Sequence, residues 1–223
     1  MASREAIVRG TFVPLASIVL VGLASAGTAQ LAPDQQKTLD ARVAKFLEAH
    51  RYGWHAMNVP EADGQALHDV IVKNRYTRAL EIGTSTGRSG IWIAWALSKT
   101  GGKLVTIEID DSRQRQAVRN FEEAGVSGFV DARLADAHDL VPRLDGPFDF
   151  VFIDADKDWY TSYAKAVIPM LVVGGCLTAH NVSPRRGWRS MTGDFYDYIT
   201  GLPFMETTVI NGGLAISYKR RER

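Results

Sequence analysis

The sequence predicts an α/β fold, a mostly parallel sheet covered by helices on both faces. Three observations carry this prediction. Strand-like segments at 78–82, 103–108, 128–134, 148–153 and 173–179 alternate with helix-like segments at 88–99, 111–124, 137–143 and 157–170, as in a parallel sheet with crossover helices. The run Phe148-Asp149-Phe150-Val151-Phe152-Ile153 is almost wholly apolar, as a central strand buried on both faces requires. Asn211-Gly212 separates two further strand candidates, 204–210 and 213–219, and Asn-Gly is a strong hairpin signal. An antiparallel pair should therefore close one edge of the sheet.

The remaining elements follow in order. Gln35 to Arg51 carries Leu39, Val43, Phe46 and Leu47 at helical spacing. Trp54 to Val59 reads as a linker, and Pro60 with Glu61 opens a second helix to about Asn74. After the fifth strand, a helix at 189–200 precedes the hairpin. No repeat or internal linker divides the sequence, so residues 30–223 are read as one domain with room for a sizeable core.

Residues 1–29 differ from the rest. Arg4 and Arg9 give a basic start, Thr11 to Gly27 is apolar or small, and Ala24-Ser25-Ala26 and Gly27-Thr28-Ala29 offer small-residue cleavage sites before Gln30. This is the pattern of a secretory signal peptide. At about 17 residues the apolar run also reaches the lower limit of a spanning helix, so a retained membrane anchor through 11–27 stays open, as does a buried helix. Export or anchoring would place the domain outside the cytoplasm. The 46% hydrophobic and 23% charged content is that of an ordinary globular protein. A net charge of +1 gives no reason to expect a nucleic-acid partner. Cys176 is the only cysteine, which excludes an intrachain disulfide and a cysteine-rich metal site. Its place in the apolar run Leu171 to Leu177 predicts a buried thiol.

The functional signal concentrates between Ala79 and Ser89. A short apolar strand holding Glu81 runs into a loop with Gly83 and Gly87, and an apolar helix follows. Glycines let a backbone approach a ligand closely, and a helix start offers free N–H groups. Three chemistries use such a turn. Dinucleotide binding needs G-x-G-x-x-G, and Gly83, Gly87 and Gly90 have the wrong spacing. Gly83-Thr84-Ser85-Thr86-Gly87 matches the G-x-S-x-G of a serine nucleophile elbow, with Asp154 or Asp156 and then His180 in the required order. Against a secreted Ser85 hydrolase, the residues ahead of the loop look helical and no His-Gly-Gly oxyanion loop precedes it. S-adenosylmethionine (SAM) binding is the third. In a parallel sheet the ligand lies beyond the carboxyl ends of the strands, and Glu81, Gly83, Glu108, Asp136, Asp154 and His180-Asn181 each follow an apolar strand.

Six motifs occur in order: Ala56-Met57-Asn58-Val59 with Asp63-Gly64-Gln65, Leu80 to Ser89, Thr106-Ile107-Glu108-Ile109-Asp110, Asp136-Ala137, Phe152-Ile153-Asp154-Ala155-Asp156-Lys157, and Asn211-Gly212-Gly213-Leu214. Together they resemble the catechol and caffeoyl-CoA family of SAM-dependent O-methyltransferases, over nearly the whole sequence after residue 30. The resemblance implies a Rossmann-like class I methyltransferase fold with seven strands. It implies methyl transfer from SAM to a hydroxyl of a small, catechol-like acceptor. Cofactor contacts are implied for Met57, Val59, Glu81, Gly83, Ser85, Ser89, Glu108, Asp136, Ala137 and Asp154, with Glu108 on the ribose and Ser89 on the methionine carboxylate.

At the acceptor, Lys157 matches the family's base, and Asp154 and Asn181 match two ligands of a divalent metal, usually magnesium. His180 stands where the family has a second Asp. An imidazole there removes one charge and one oxygen ligand, so manganese, iron or zinc would be tolerated better than magnesium. The alternatives are metal-free catalysis with His180 as base, which an ordinary pKa of about 6.5 would suit, and a structural histidine. The catalytic candidates are thus Lys157, Asp154 and His180, and the metal candidates are Asp154, His180 and Asn181. Trp54 and Trp188 are candidates to sandwich a planar acceptor; Arg185, Arg186 and Arg189 would favour an acidic one. A homodimer, and a SAM-binding protein without turnover, both stay open.

Overall fold

The computed structural model describes residues 30–54, 57–183 and 191–222. Segment 1–29, Ala56, and the wall candidates Arg185, Arg186, Trp188 and Arg189 lie outside the described residues. Among the described residues no helix is long and apolar enough to cross a membrane.

Seven strands form one sheet: β1 (Arg78–Ile82), β2 (Lys103–Glu108), β3 (Val130–Leu134), β4 (Phe148–Ile153), β5 (Leu171–Ala179), β6 (Met205–Ile210) and β7 (Leu214–Lys219). Their order is β3-β2-β1-β4-β5-β7-β6, so β4 is the central strand. The first five pair in parallel, and β7 runs antiparallel to both β5 and β6. The chain moves outward from β1 to β3 and then returns to the other side of β1. The crevice between the carboxyl ends of β1 and β4 is therefore a topological switch point, where such sheets take their ligands.

Helices α1 (Pro33–Ala49), α2 (Glu61–Asn74), α3 (Arg88–Thr100), α4 (Asp111–Ala124), α5 (Ala137–Leu140), α6 (Tyr160–Val167) and α7 (Gly193–Thr200) cover the sheet. Side chains along β4 alternate between the faces. Val151 and Ile153 pack with Tyr160, Val167 and Phe195 from α6 and α7, whereas Phe150 and Phe152 pack with Leu67, Ile71, Ile93 and Leu97 from α2 and α3. All are fully or almost fully buried, each worth roughly 1.5–3 kcal/mol relative to exposure. Cys176 is buried in the second cluster. Gly64 lets α2 and α3 approach closely, because a Cβ there would come within 2.2 Å of the Trp92 indole. The neighbouring Asp63, in the first turn of α2, is buried.

Several boundaries differ from the sequence reading. Residues Ser127–Phe129 form a 3-10 turn, so the third strand starts at Val130 and not at 128. The segment 157–170 is not one helix: 3-10 turns at Lys157–Trp159 and Ile168–Met170 flank α6, and Pro169 cannot donate the bond that would prolong it. The fifth strand begins at Leu171, two residues early, with a register shift against β4 between Phe148 and Phe150. In the hairpin, Ile210 pairs with Leu214, and Gly213 N–H donates to Ile210 O at 2.9 Å. Asn211 and Gly212 both have positive φ, as an Asn-Gly turn allows.

Candidate active site

The glycine loop between β1 and α3 is fixed from below and behind. Gly83 N–H and Thr84 N–H both donate to Ile107 O, at 3.0 and 3.1 Å. Gly83 has φ +97°, and a Cβ on it would meet the Asp154 carbonyl at 2.4 Å. Only glycine permits both that dihedral and that approach. Gly87 and Gly90 make room for the Phe121 ring of α4, which a Cβ would contact at about 3 Å. Ser85 holds φ 49°, and its N–H donates to Glu108 Oε2 at 2.7 Å. Glu108 Oε1 accepts from Ile109 and Asp110 N–H at 3.1 and 3.0 Å. Three backbone amides therefore hold this carboxylate at the end of β2. Beside it, Asp136 caps α5 by accepting from His138 N–H at 2.8 Å.

Glu81 lies elsewhere than the sequence suggested. It is fully buried beneath the loop and is not on the rim. Its Oε2 accepts from Thr106 Oγ1 at 2.5 Å, and Oε1 has no hydrogen-bond partner. Burial pushes its carboxyl up to about 7; hydrogen bonds from Ser89 and Thr106 oppose the rise, and the nearby Asp154 and Glu108 charges add to it.

A different construction stands at the ends of β4 and β5. Lys157 Nζ donates to Asp154 Oδ1 and to Tyr160 Oη, both at 2.7 Å. Asp154 Oδ2 faces His180 Nδ1 at 3.2 Å, and His180 Nε2 faces Asp63 Oδ2 at 3.0 Å. Asp63 Oδ1 takes a further bond from Asn211 Nδ2 at 2.9 Å. The result is a line of side chains, Asp63–His180–Asp154–Lys157, joining α2, β5, β4 and the turn after it. Burial alone would raise Asp154, but the His180 hydrogen bond and the Lys157 charge outweigh it and hold the carboxyl below its ordinary range. Burial alone would lower His180, and the Asp154 bond with the Asp154 and Asp63 charges outweighs it, so its pKa is raised. Burial, with the Asp154 charge, holds the Tyr160 phenol well above its ordinary value. The phenol is therefore neutral.

Both constructions face one cavity of about 680 Å³. Met57, Gly83, Ser85, Glu108, Asp136, Ala137, Asp154, Lys157, His180 and Asn181 line it, all of them singled out in the sequence. Val59, Glu81 and Ser89 are buried behind the wall. Trp54 is also away from the cavity, packed edge-on to Phe46 and under the Arg88 guanidinium.

Residues 32–187 match the family model described as O-methyltransferase. The chain belongs to that family. Among family relatives it is similar to a catechol O-methyltransferase of Niastella koreensis, 35% identical over 147 residues, 64% of this chain and 66% of the relative. It is similar also to caffeoyl-CoA O-methyltransferase 1 of Eucalyptus globulus, 30% identical over 154 residues, 67% of this chain and 60% of that enzyme. The chain thus spans between three fifths and two thirds of the length of these curated relatives. Of solved structures, the O-methyltransferase of Bacillus cereus in complex with SAH superposes with a TM-score of 0.69 at 26% identity, over 81% of this chain and 91% of that one. The O-methyltransferase TomG of Streptomyces achromogenes, in complex with SAM, gives 0.66 at 28% identity, over 80% and 89%. The fold is the Rossmann-like methyltransferase fold with its antiparallel C-terminal strands.

Family membership and geometry together remove the serine elbow. Both ring nitrogens of His180 are engaged by carboxylates, so the ring has no acceptor to offer Ser85. Three site residues carry no individual role in the sequence reading: Asp63, Tyr160 and His138, whose Nε2 lies 3.0 Å from Asp156 Oδ2. Asp63 in the first turn of α2 reads as an acid complementing a helix dipole, and its reach to residue 180 has no local signal.

Proposed function

We propose that the protein transfers a methyl group from SAM to a hydroxyl oxygen of a small, catechol-like acceptor. The observation that carries this reading is the pairing, across one cavity, of the Gly83–Glu108 cradle with the Lys157–Asp154–Tyr160 cluster. The cavity volume is in the range of cofactor sites. Two features fit SAM. The glycine loop lines the cavity through Gly83 and Ser85, and Glu108, on the same wall, keeps one acceptor position for a ribose hydroxyl beyond its three amide bonds. The names of the two relatives support a catechol-like acceptor.

When bound, SAM supplies a methyl group on a sulfonium, so that transfer breaks a C–S bond and forms a C–O bond. The protein's part is to position the acceptor oxygen and to take its proton, since a phenol ionises only near a pKa of about 10. Two of the three positions on Lys157 Nζ are taken by Asp154 and Tyr160, and the third serves the acceptor oxygen. Lys157 accepts the hydroxyl proton after its own third ammonium proton has passed to solvent. The ammonium so formed is stabilised by the same two oxygens. Most of the remaining acceleration comes from holding oxygen and methyl donor in line.

The test is incubation with methyl-labelled SAM and a catechol, with the product read by mass spectrometry. A labelled methyl ether supports the reading; a protein that fails to bind SAM at millimolar concentration overturns it. Export belongs to the same proposal, supported by residues 1–29. Protein recovered outside the cytoplasm with an N-terminus near Gln30 would support cleavage, and an intact Met1 in the membrane fraction would support the anchor.

A further inference from the structure

A divalent cation needs lone pairs that converge on one point. Asp154, His180 and Asn181 lie together on the cavity wall, yet each Asp154 oxygen already faces a cationic side chain and each His180 nitrogen already faces a carboxylate. Asp154 Oδ1 accepts from Lys157 Nζ at 2.7 Å, and Asp154 Oδ2 faces His180 Nδ1 at 3.2 Å. His180 Nε2 in turn faces Asp63 Oδ2 at 3.0 Å. An imidazole held between two carboxylates has to donate from both nitrogens, because a bare nitrogen lone pair would be repelled by the oxygen opposite. A ring bonded in this way has no lone pair left for a metal. Asn181 alone offers one neutral oxygen. Among the described residues no group of three or more His, Cys, Asp and Glu side chains is arranged to hold a metal ion.

The charges agree with the geometry. Asp63 and Asp154 bring two negative charges, His180 and Lys157 two positive ones, and all four side chains are largely shielded from solvent. A divalent ion would enter beside two cations already touching Asp154, and displacing His180 would leave Asp63 buried at 4% side-chain exposure without its cation. Breaking a buried pair in this way is strongly unfavourable. The line is also anchored at its far end, since Asn211 of the β6–β7 hairpin holds the other oxygen of Asp63.

We propose that the acceptor end works without a divalent metal: the Asp63–His180–Asp154–Lys157 line stands in the place a metal would fill. Asp63 is then a positioning residue, which holds His180 against Asp154 from α2. The positive charge that favours an acceptor oxyanion is covalently part of the chain, on Lys157 with His180 behind it. This inference rests on the O-methyltransferase reading for its catalytic meaning, and its binding test does not.

The experiment titrates Mn²⁺ into the EDTA-dialysed protein and follows the free-ion electron paramagnetic resonance signal. The wild type is expected to leave that signal unchanged at millimolar Mn²⁺. His180→Asp, which removes the cation and supplies a third oxygen ligand, is expected to bind Mn²⁺ and lose signal. In turnover, EDTA is expected to leave the wild-type rate unchanged, and Asp63→Asn to lower kcat with SAM affinity retained. Stoichiometric Mn²⁺ binding by the wild type would overturn the proposal, as would a rate abolished by EDTA and restored by Mn²⁺. Failure of His180→Asp to gain Mn²⁺ would remove His180 as the cause. Should the protein methylate no acceptor at all, the functional reading fails while the Mn²⁺ titration still decides this one.

Discussion

At one end of the cavity the Glu108 carboxylate is held by three backbone amides, from Ser85, Ile109 and Asp110; at the other, Asp154 is held by two charged side chains, Lys157 and His180. The first arrangement follows from the course of the chain itself. It persists as long as β1, β2 and the glycine loop persist. The second depends on four side chains from distant parts of the sequence, and removing either inner member, His180 or Asp154, leaves a charge at one end unpaired. The difference assigns separate consequences to the two ends. Damage at Glu108 should appear in cofactor affinity, and damage at Lys157 in turnover.

The largest expected effect is at Lys157. Lys157→Met removes the group facing both Asp154 and the acceptor, and should lower kcat by about a thousandfold, as loss of a general base does. SAM affinity should be retained. Comparable losses in kcat and in affinity would show that the two ends are not separable.

The next effect belongs to Glu81, buried between the two ends, with its carboxyl raised from 4.5 to about 7. Below pH 4.5 this group is protonated in folded and unfolded chains alike and contributes no pH dependence. Between 4.5 and about 7 only the unfolded chain ionises, so stability falls as pH rises. Above about 7 the full cost is present, on the order of 3 kcal/mol. Thermal melts should therefore show Tm falling across this window in the wild type, with a flatter profile in Glu81→Gln. Equal slopes in both proteins would mean that another group carries the dependence.

These contrasts also explain what the sequence made legible. The strand alternation, the central β4 and the hairpin were readable because each rests on local periodicity or on turn chemistry. The cradle was readable for the same reason, since Gly83, Ser85 and Glu108 sit at strand ends in fixed spacing. Asp63 was not. Its partners lie 117 and 148 residues away, and nothing near it distinguishes a positioning acid from a helix-start acid. Glu81 was read onto the rim because it immediately precedes the loop, but the alternation of β1 turns it inward against Thr106. Trp54 reads in the sequence as an aromatic near the acceptor, whereas the structure packs it edge-on to Phe46. His180 departs from the family pattern in the sequence itself, but its role depends on the two carboxylates on either side of it, which no local pattern announces.

The division between the two ends is tested most directly by calorimetric titration of SAM into the wild type, Glu108→Gln and Lys157→Met. Wild type and Lys157→Met are expected to bind alike. Glu108→Gln keeps the shape of the side chain but loses its charge, and should bind about tenfold more weakly, or worse, as expected for hydrogen bonds to an ionised group. Binding lost equally in both variants, or absent from the wild type, would contradict the assignment of cofactor to one end and chemistry to the other.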